Sequence, residues 1–175
     1  LEARMRRLQL ITRYKEAIED CGGKARKGPS PMAFAEKLCD RYAEPHRAYH
    51  NLKHLEELLG WLEPIAGGSE NYSAISLAVF YHDAIYDPTS HENEEASALL
   101  ALQDLEALCV PKEKIDKVAT YVRATKSHMS IDTQDEDLGL FLDADLSILG
   151  SDPKLYDEYA ANIRREYGFV PEDTY

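Results

Sequence analysis

Residues 74–81 read Ala-Ile-Ser-Leu-Ala-Val-Phe-Tyr, apolar on nearly every side, and this run constrains the fold more than any other part of the chain. A helix that is apolar all round is buried, so other elements must wrap it. Directly after it come His82 and Asp83. An imidazole and a carboxylate are both costly to bury without partners, and a metal ion would satisfy the two together. Three other places could complete such a site: His50 with His54, His128, and Asp143 with Asp145.

Elsewhere the apolar spacing is helical, and no run alternates with period two. The pattern predicts helices over residues 2–19, stopped by Gly22-Gly23, and over 31–42, with Ser30 as N-cap and Pro31 in the first turn. A third starts near His50 and reaches Leu62, with Leu55, Leu58, Leu59 and Leu62 inward and with Pro64 and Gly67-Gly68 ending it. Further helices are expected over 72–85, 92–108, 112–125, 135–149 (closed by Gly150) and from Pro153 to near Gly168. Residues 24–28 read as a basic loop and 127–134 as a polar loop. The expected architecture is all-α, an irregular helical bundle forming a single domain over residues 1–175, long enough for a stable core.

The formal net charge of −12 opposes general binding to nucleic-acid backbones. A nucleotide held through a local metal is compatible with it. No apolar stretch is long enough for a bilayer, and residues 1–10 are charged throughout, with no signal peptide visible. Cys21, Cys39 and Cys109 are widely spaced and fit neither a disulfide framework nor a zinc ribbon. Each reads as a small buried or half-buried apolar residue, and a cytoplasmic protein is expected.

His50 and His54, four apart, would share one face of a helix, although alone such a pair reads as polar helix surface. His82 could cap the last carbonyls of its helix, but the carboxylate of Asp83 has the wrong sign for a helix C-terminus and calls for a cation. On the last apolar segment, Leu138, Phe141, Leu142, Asp145 and Leu149 fall on one stripe. Asp145 therefore points inward as a ligand, and Asp143, off the stripe, would support it from behind. His128 alone reads as a loop histidine. Arg47 and Lys126 could hold phosphate oxygens, while lone cations are usually solvated. His46 and His91 read as structural or exposed. Imidazole and carboxylate ligands suit Mn, Fe, Co, Ni, Zn or Mg, and the absence of cysteine ligands argues against a purely structural zinc.

The segments Tyr49-His50-Asn51-Leu52-Lys53-His54, Phe80-Tyr81-His82-Asp83-Ala84-Ile85-Tyr86-Asp87 and Phe141-Leu142-Asp143-Ala144-Asp145-Leu146, with Asn93-Glu94-Glu95 and Thr125-Lys126-Ser127-His128 between them, follow an ordered H, HD, D pattern. In this the chain resembles the HD superfamily of metal-dependent phosphohydrolases, and more narrowly a bacterial group described as predicted metal-dependent HD phosphohydrolases, with the signature over about residues 42–150. The resemblance implies an HD-like bundle and a divalent cofactor, one or two ions, held by His54, His82, Asp83 and Asp145. His50 competes with His54 for the first ligand. It also implies that His128 binds a second ion or substrate. On the reading adopted here Asp83 is catalytic, and Arg47, His50, Lys126 and His128 are the candidates to contact a small phosphorylated substrate, possibly a nucleotide, or to protonate its leaving group. Some HD nucleotidases carry a glutamate where Tyr86 stands here, so their acid–base scheme does not carry over. Relatives continue with another helix beyond the position of Tyr175. The function implied is hydrolysis of a phosphate ester by metal-activated water. A di-iron oxygenase, a non-catalytic nucleotide or metal sensor, and a helical scaffold with incidental histidines are the alternatives.

Overall fold

The computed structural model describes residues 1–23, 30–129 and 134–175, and these form eight α-helices and one 3₁₀ turn, with no strand among the described residues. The expected loop at 24–28 lies outside the described residues, as do positions 130–133 of the expected polar loop. The architecture is an all-α bundle.

Its axis is α4 (Tyr72–Tyr81), in which every residue from Ala74 to Tyr81 is buried. Around it pack α1 (Glu2–Asp20), α3 (Leu52–Ala66), α5 (Asn93–Ala107), α6 (Lys112–Ala124) and α7 (Glu136–Asp145). Burying each large apolar side chain contributes about 1.5–3 kcal/mol relative to exposure, so a helix apolar on all sides gains from neighbours on all sides. α2 (Pro31–Tyr42) pairs with α1, and α8 (Pro153–Glu166) lies against the 3₁₀ turn Ser147–Gly150. Among the described residues no helix is long and apolar enough to cross a membrane.

Where the chain turns, local chemistry decides the boundaries. Ser30, Asn51, Asp135 and Asp152 cap α2, α3, α7 and α8, each side chain accepting from a backbone N–H of the first turn. α5 closes with Cys109 at φ 55°, the Val110 N–H reaching back to the Leu105 carbonyl. Cys109 is exposed there, contrary to the burial expected of it, whereas Cys21 and Cys39 are buried. Asp137 accepts from Ser69 Oγ (3.0 Å) and Asn71 Nδ2 (2.9 Å), which ties α7 to the α3–α4 turn.

Four boundaries differ from expectation. α3 starts at Leu52, after the Asn51 cap, so His50 lies in the connector before the helix and not on its face. Pro64 does not end α3: Gly60, whose carbonyl it leaves without a donor, sits with it on the exposed side, open to solvent. α4 stops at Tyr81 and not at Ile85. A continuing helix would give the Val79 carbonyl to Asp83 N–H, but His82 Nδ1–H takes it (2.7 Å), and Asp83 N–H donates instead to Tyr42 Oη (3.2 Å). α7 ends at Asp145 and tightens into the 3₁₀ turn, which leaves Leu149 exposed and off the expected stripe.

A separate buried polar group forms around the residue before His82. Tyr14 Oη and Tyr81 Oη are 2.7 Å apart, and Tyr81 Oη donates to Asp104 Oδ2 at 3.2 Å. Both tyrosine rings are fully buried.

Candidate metal centre

The residue after Tyr81 opens a different cluster. His82 leaves the end of α4 with its Nε2 2.9 Å from Asp83 Oδ2, 3.2 Å from His54 Nε2 and 3.5 Å from Asp145 Oδ1. His54, on the first turn of α3, has its Nε2 3.3 Å from Asp145 Oδ1 and 3.9 Å from Asp83 Oδ2. Asp145 comes from the last residue of α7. The ligand atoms of His54, His82 and Asp83 all lie within 4.8 Å of one another, and Asp145 joins through both imidazoles. His54 and His82 are 3% and 1% exposed, so little water can mediate between these groups.

The donor set fits a divalent ion. Ligands about 2.1 Å from a common ion stand roughly 3.0–3.4 Å apart at angles of 90–109°, and never more than about 4.2 Å. The distances among His54, His82 and Asp83, and those from Asp145 Oδ1 to the two imidazoles, meet that upper bound. The His82 ring is already oriented: Nδ1–H is bound to the Val79 carbonyl, so a neutral ring turns the Nε2 lone pair into the cluster. Two imidazole nitrogens and two carboxylates then aim lone pairs at one region, which only a positive charge can reconcile.

The same groups set one another's charge. Burial alone would lower the His82 pKa, yet Asp83 and Asp145 hold it well above the ordinary value. Burial would raise both carboxylates, but the charge on His82, together with His50 for Asp83 and His128 for Asp145, pulls each below the usual range. For His54 burial prevails over Asp145, and its pKa is lowered. A proton on His82 Nε2 therefore stands where a metal would bind, and the two compete.

A second carboxylate builds the surroundings. Glu166, the last residue of α8, has a fully buried side chain. It accepts from Tyr49 N–H (2.7 Å), His50 N–H (2.9 Å), His50 Nδ1 (2.7 Å) and Tyr86 Oη (2.7 Å). Burial raises its pKa, but these donors, His50 foremost, bring it down to about 2. The bond fixes the His50 ring with Nε2 3.9 Å from Asp83 Oδ2, at the edge of the cluster. His50 is pushed above its ordinary pKa, Asp83 and Glu166 overcoming the effect of burial.

The predicted residues thus separate into two groups. His54, His82, Asp83 and Asp145 converge, with His50 beside them. His128 also arrives: a left-handed φ of 50°, uncommon for a residue other than glycine, aims Nε2 at Asp145 Oδ2, 2.8 Å away. Arg47 is placed otherwise. Its side chain is fully buried, and it donates to the carbonyls of His50 (3.2 Å), Asp83 (2.7 Å) and Ala84 (3.1 Å) and to Glu44 (3.1 Å). Its guanidinium is spent on positioning the segment after α4 and is not free for phosphate. Lys126 is bound to the His91 carbonyl at 2.7 Å. Asp143 is exposed and supports nothing behind Asp145. Glu166 was not legible, because a glutamate in the last turn of an exposed helix carries no pattern. Tyr86, singled out only as a departure from the nucleotidase glutamate, is one of its donors.

A scan of protein-family models, a search of curated proteins and a search of solved structures each return no match to this chain.

Proposed function

We propose that the chain is a hydrolase of phosphate esters that works with a divalent metal held by His54, His82, Asp83 and Asp145. The observation that carries this reading is the convergence of His54, His82 and Asp83 at a buried place, with Asp145 within 3.5 Å of both imidazoles and the His82 ring pre-turned by its bond to the Val79 carbonyl. When bound, such a metal lowers the pKa of water and polarises a phosphoryl oxygen.

The protein's own groups account for the protons. Hydrolysis joins a water oxygen to phosphorus and breaks the ester P–O bond. Asp83, at the cluster's partly open side, takes one proton from the water and orients it. The departing alkoxide receives one proton from His50, whose ring Glu166 holds with Nε2 toward the cluster. His128 stands on the Asp145 side, within reach of a substrate oxygen or a second ion.

Elemental analysis of the purified protein, followed by a phosphoester panel with the metal found, tests the reading. Bound divalent metal and metal-dependent release of phosphate are expected, both lost in Asp83→Ala. Oxygen uptake with two irons and no phosphate release would replace it with an oxygenase. Tight binding of metal without turnover would leave a sensor.

A further inference from the structure

Beside the cluster lies a cavity of about 240 Å³ between α3, the 3₁₀ turn and the start of α8, and His54 and Asp145 form part of its wall. Tyr49, Leu58, Trp61, Ile148 and Leu155 supply its apolar surface, and Glu57 its remaining charge. Trp61 and Leu155 are 58% and 45% exposed, large apolar groups that the fold leaves open at this place. Among the described residues lining the cavity there is no lysine or arginine, and the neighbouring Lys53 is held by Glu57 at 3.3 Å.

We propose that this cavity seats the alcohol half of a phosphate monoester whose alcohol is flat, apolar and free of a second anionic group. The inference rests on the phosphoesterase reading above. Its position follows from the shared wall: a phosphoryl group at the cluster places its ester substituent next to His54 and Asp145, and the cavity begins there. Its chemistry follows from the lining, since an aromatic face packs well against Trp61, Tyr49 and the aliphatic side chains. Its charge limit follows from the lining, which offers no lysine or arginine to a di- or triphosphate chain, the neighbouring Lys53 being already paired with Glu57. Its size limit follows from the volume, which falls below the roughly 300–1,000 Å³ of pockets enclosing drug-sized ligands and suits one ring system.

Trp61 is the chain's single tryptophan, so its fluorescence reports on the cavity directly. Phenylphosphonate, which has no ester to cleave, and methylphosphonate are titrated into the metal-loaded protein and into the metal-free protein. In the loaded protein phenylphosphonate should change the Trp61 emission at a concentration at least about tenfold below methylphosphonate, the scale on which apolar pockets discriminate. In turnover, phenyl phosphate should exceed glycerol phosphate in kcat/KM by a similar factor, and ATP should be the poorest of the three. Trp61→Ala and Leu155→Ala should each collapse the phenyl-to-glycerol ratio, while Leu99→Ala, on α5, should preserve it. Equal responses to the two phosphonates, equal use of the two monoesters, or a preference for ATP overturns the proposal. If no phosphoester is cleaved with any metal, the hydrolase reading fails, and the phosphonate titration alone then decides the cavity's preference.

Discussion

Tyr81 and His82 are neighbours in sequence, and each anchors a buried polar cluster, but the two clusters end differently. On the Tyr81 side, Tyr14 and Tyr81 hydroxyls and the Asp104 carboxylate form a chain in which each donor has its acceptor. Nothing is missing, and the group is understood as a fastener between α1, α4 and α5. On the His82 side, the carboxylates of Asp83 and Asp145 and the imidazoles of His54 and His82 crowd acceptors around one point. Burial and hydrogen bonding are common to both. What separates them is the balance of donors to lone pairs, and neither burial nor a perturbed pKa reveals that balance. The tyrosines too have strongly raised pKa values, caused first by burial.

The sharpest way to break this contrast is Asp83→Ala. It should abolish metal-dependent turnover and weaken metal binding by more than about a hundredfold, beyond the 10–100-fold typical of supporting residues; calorimetric titration of zinc or manganese reads this. Wild-type affinity in the variant would make the His82 cluster no more a site than its neighbour. Glu166→Ala should come next. It strands the donors of Tyr49, His50 and Tyr86, and should cost about 3–5 kcal/mol in denaturant unfolding. The acid limb of stability should change with it. Because the Glu166 pKa falls on folding, from 4.5 to about 2, its contribution is full above 4.5 and is lost as the pH drops toward 2. Glu166→Gln should flatten that part of the profile.

Metal itself supplies the third effect. At a free concentration of a hundred times Kd it should stabilise the wild type by about 2.7 kcal/mol, seen as a rise in Tm that EDTA reverses, and it should do nothing for His82→Ala. The smallest effect belongs to the fastener. Tyr14→Phe removes one donor and should cost about 1 kcal/mol, with metal affinity unchanged in the same titration. A fall in affinity there would show the two clusters to be one coupled network.

The apolar run before His82 announced the central helix, and capping residues such as Ser30 and Asp152 placed helix starts closely. Ends were harder. They depended on side chains from distant parts of the chain, as when Tyr42 receives the Asp83 N–H, and no local pattern encodes such a partner. The same distinction governs the site. His82, Asp83 and Asp145 were legible because each is a charged or titratable group on an apolar background. Arg47 was misread because a surface-type residue in a polar connector gives no sign that carbonyl groups will enclose it. Glu166 was invisible because its contacts come only from residues 80 to 117 positions earlier.

That separation has a consequence for how the protein is made. His54, His82, Asp83 and Asp145 are all available once α7 has emerged from the ribosome, whereas the ring of His50 gains its partner only with residue 166. A nascent chain can therefore bring the His82 cluster together before the ring of His50 is held, and the arrival of α8 is what orients that ring.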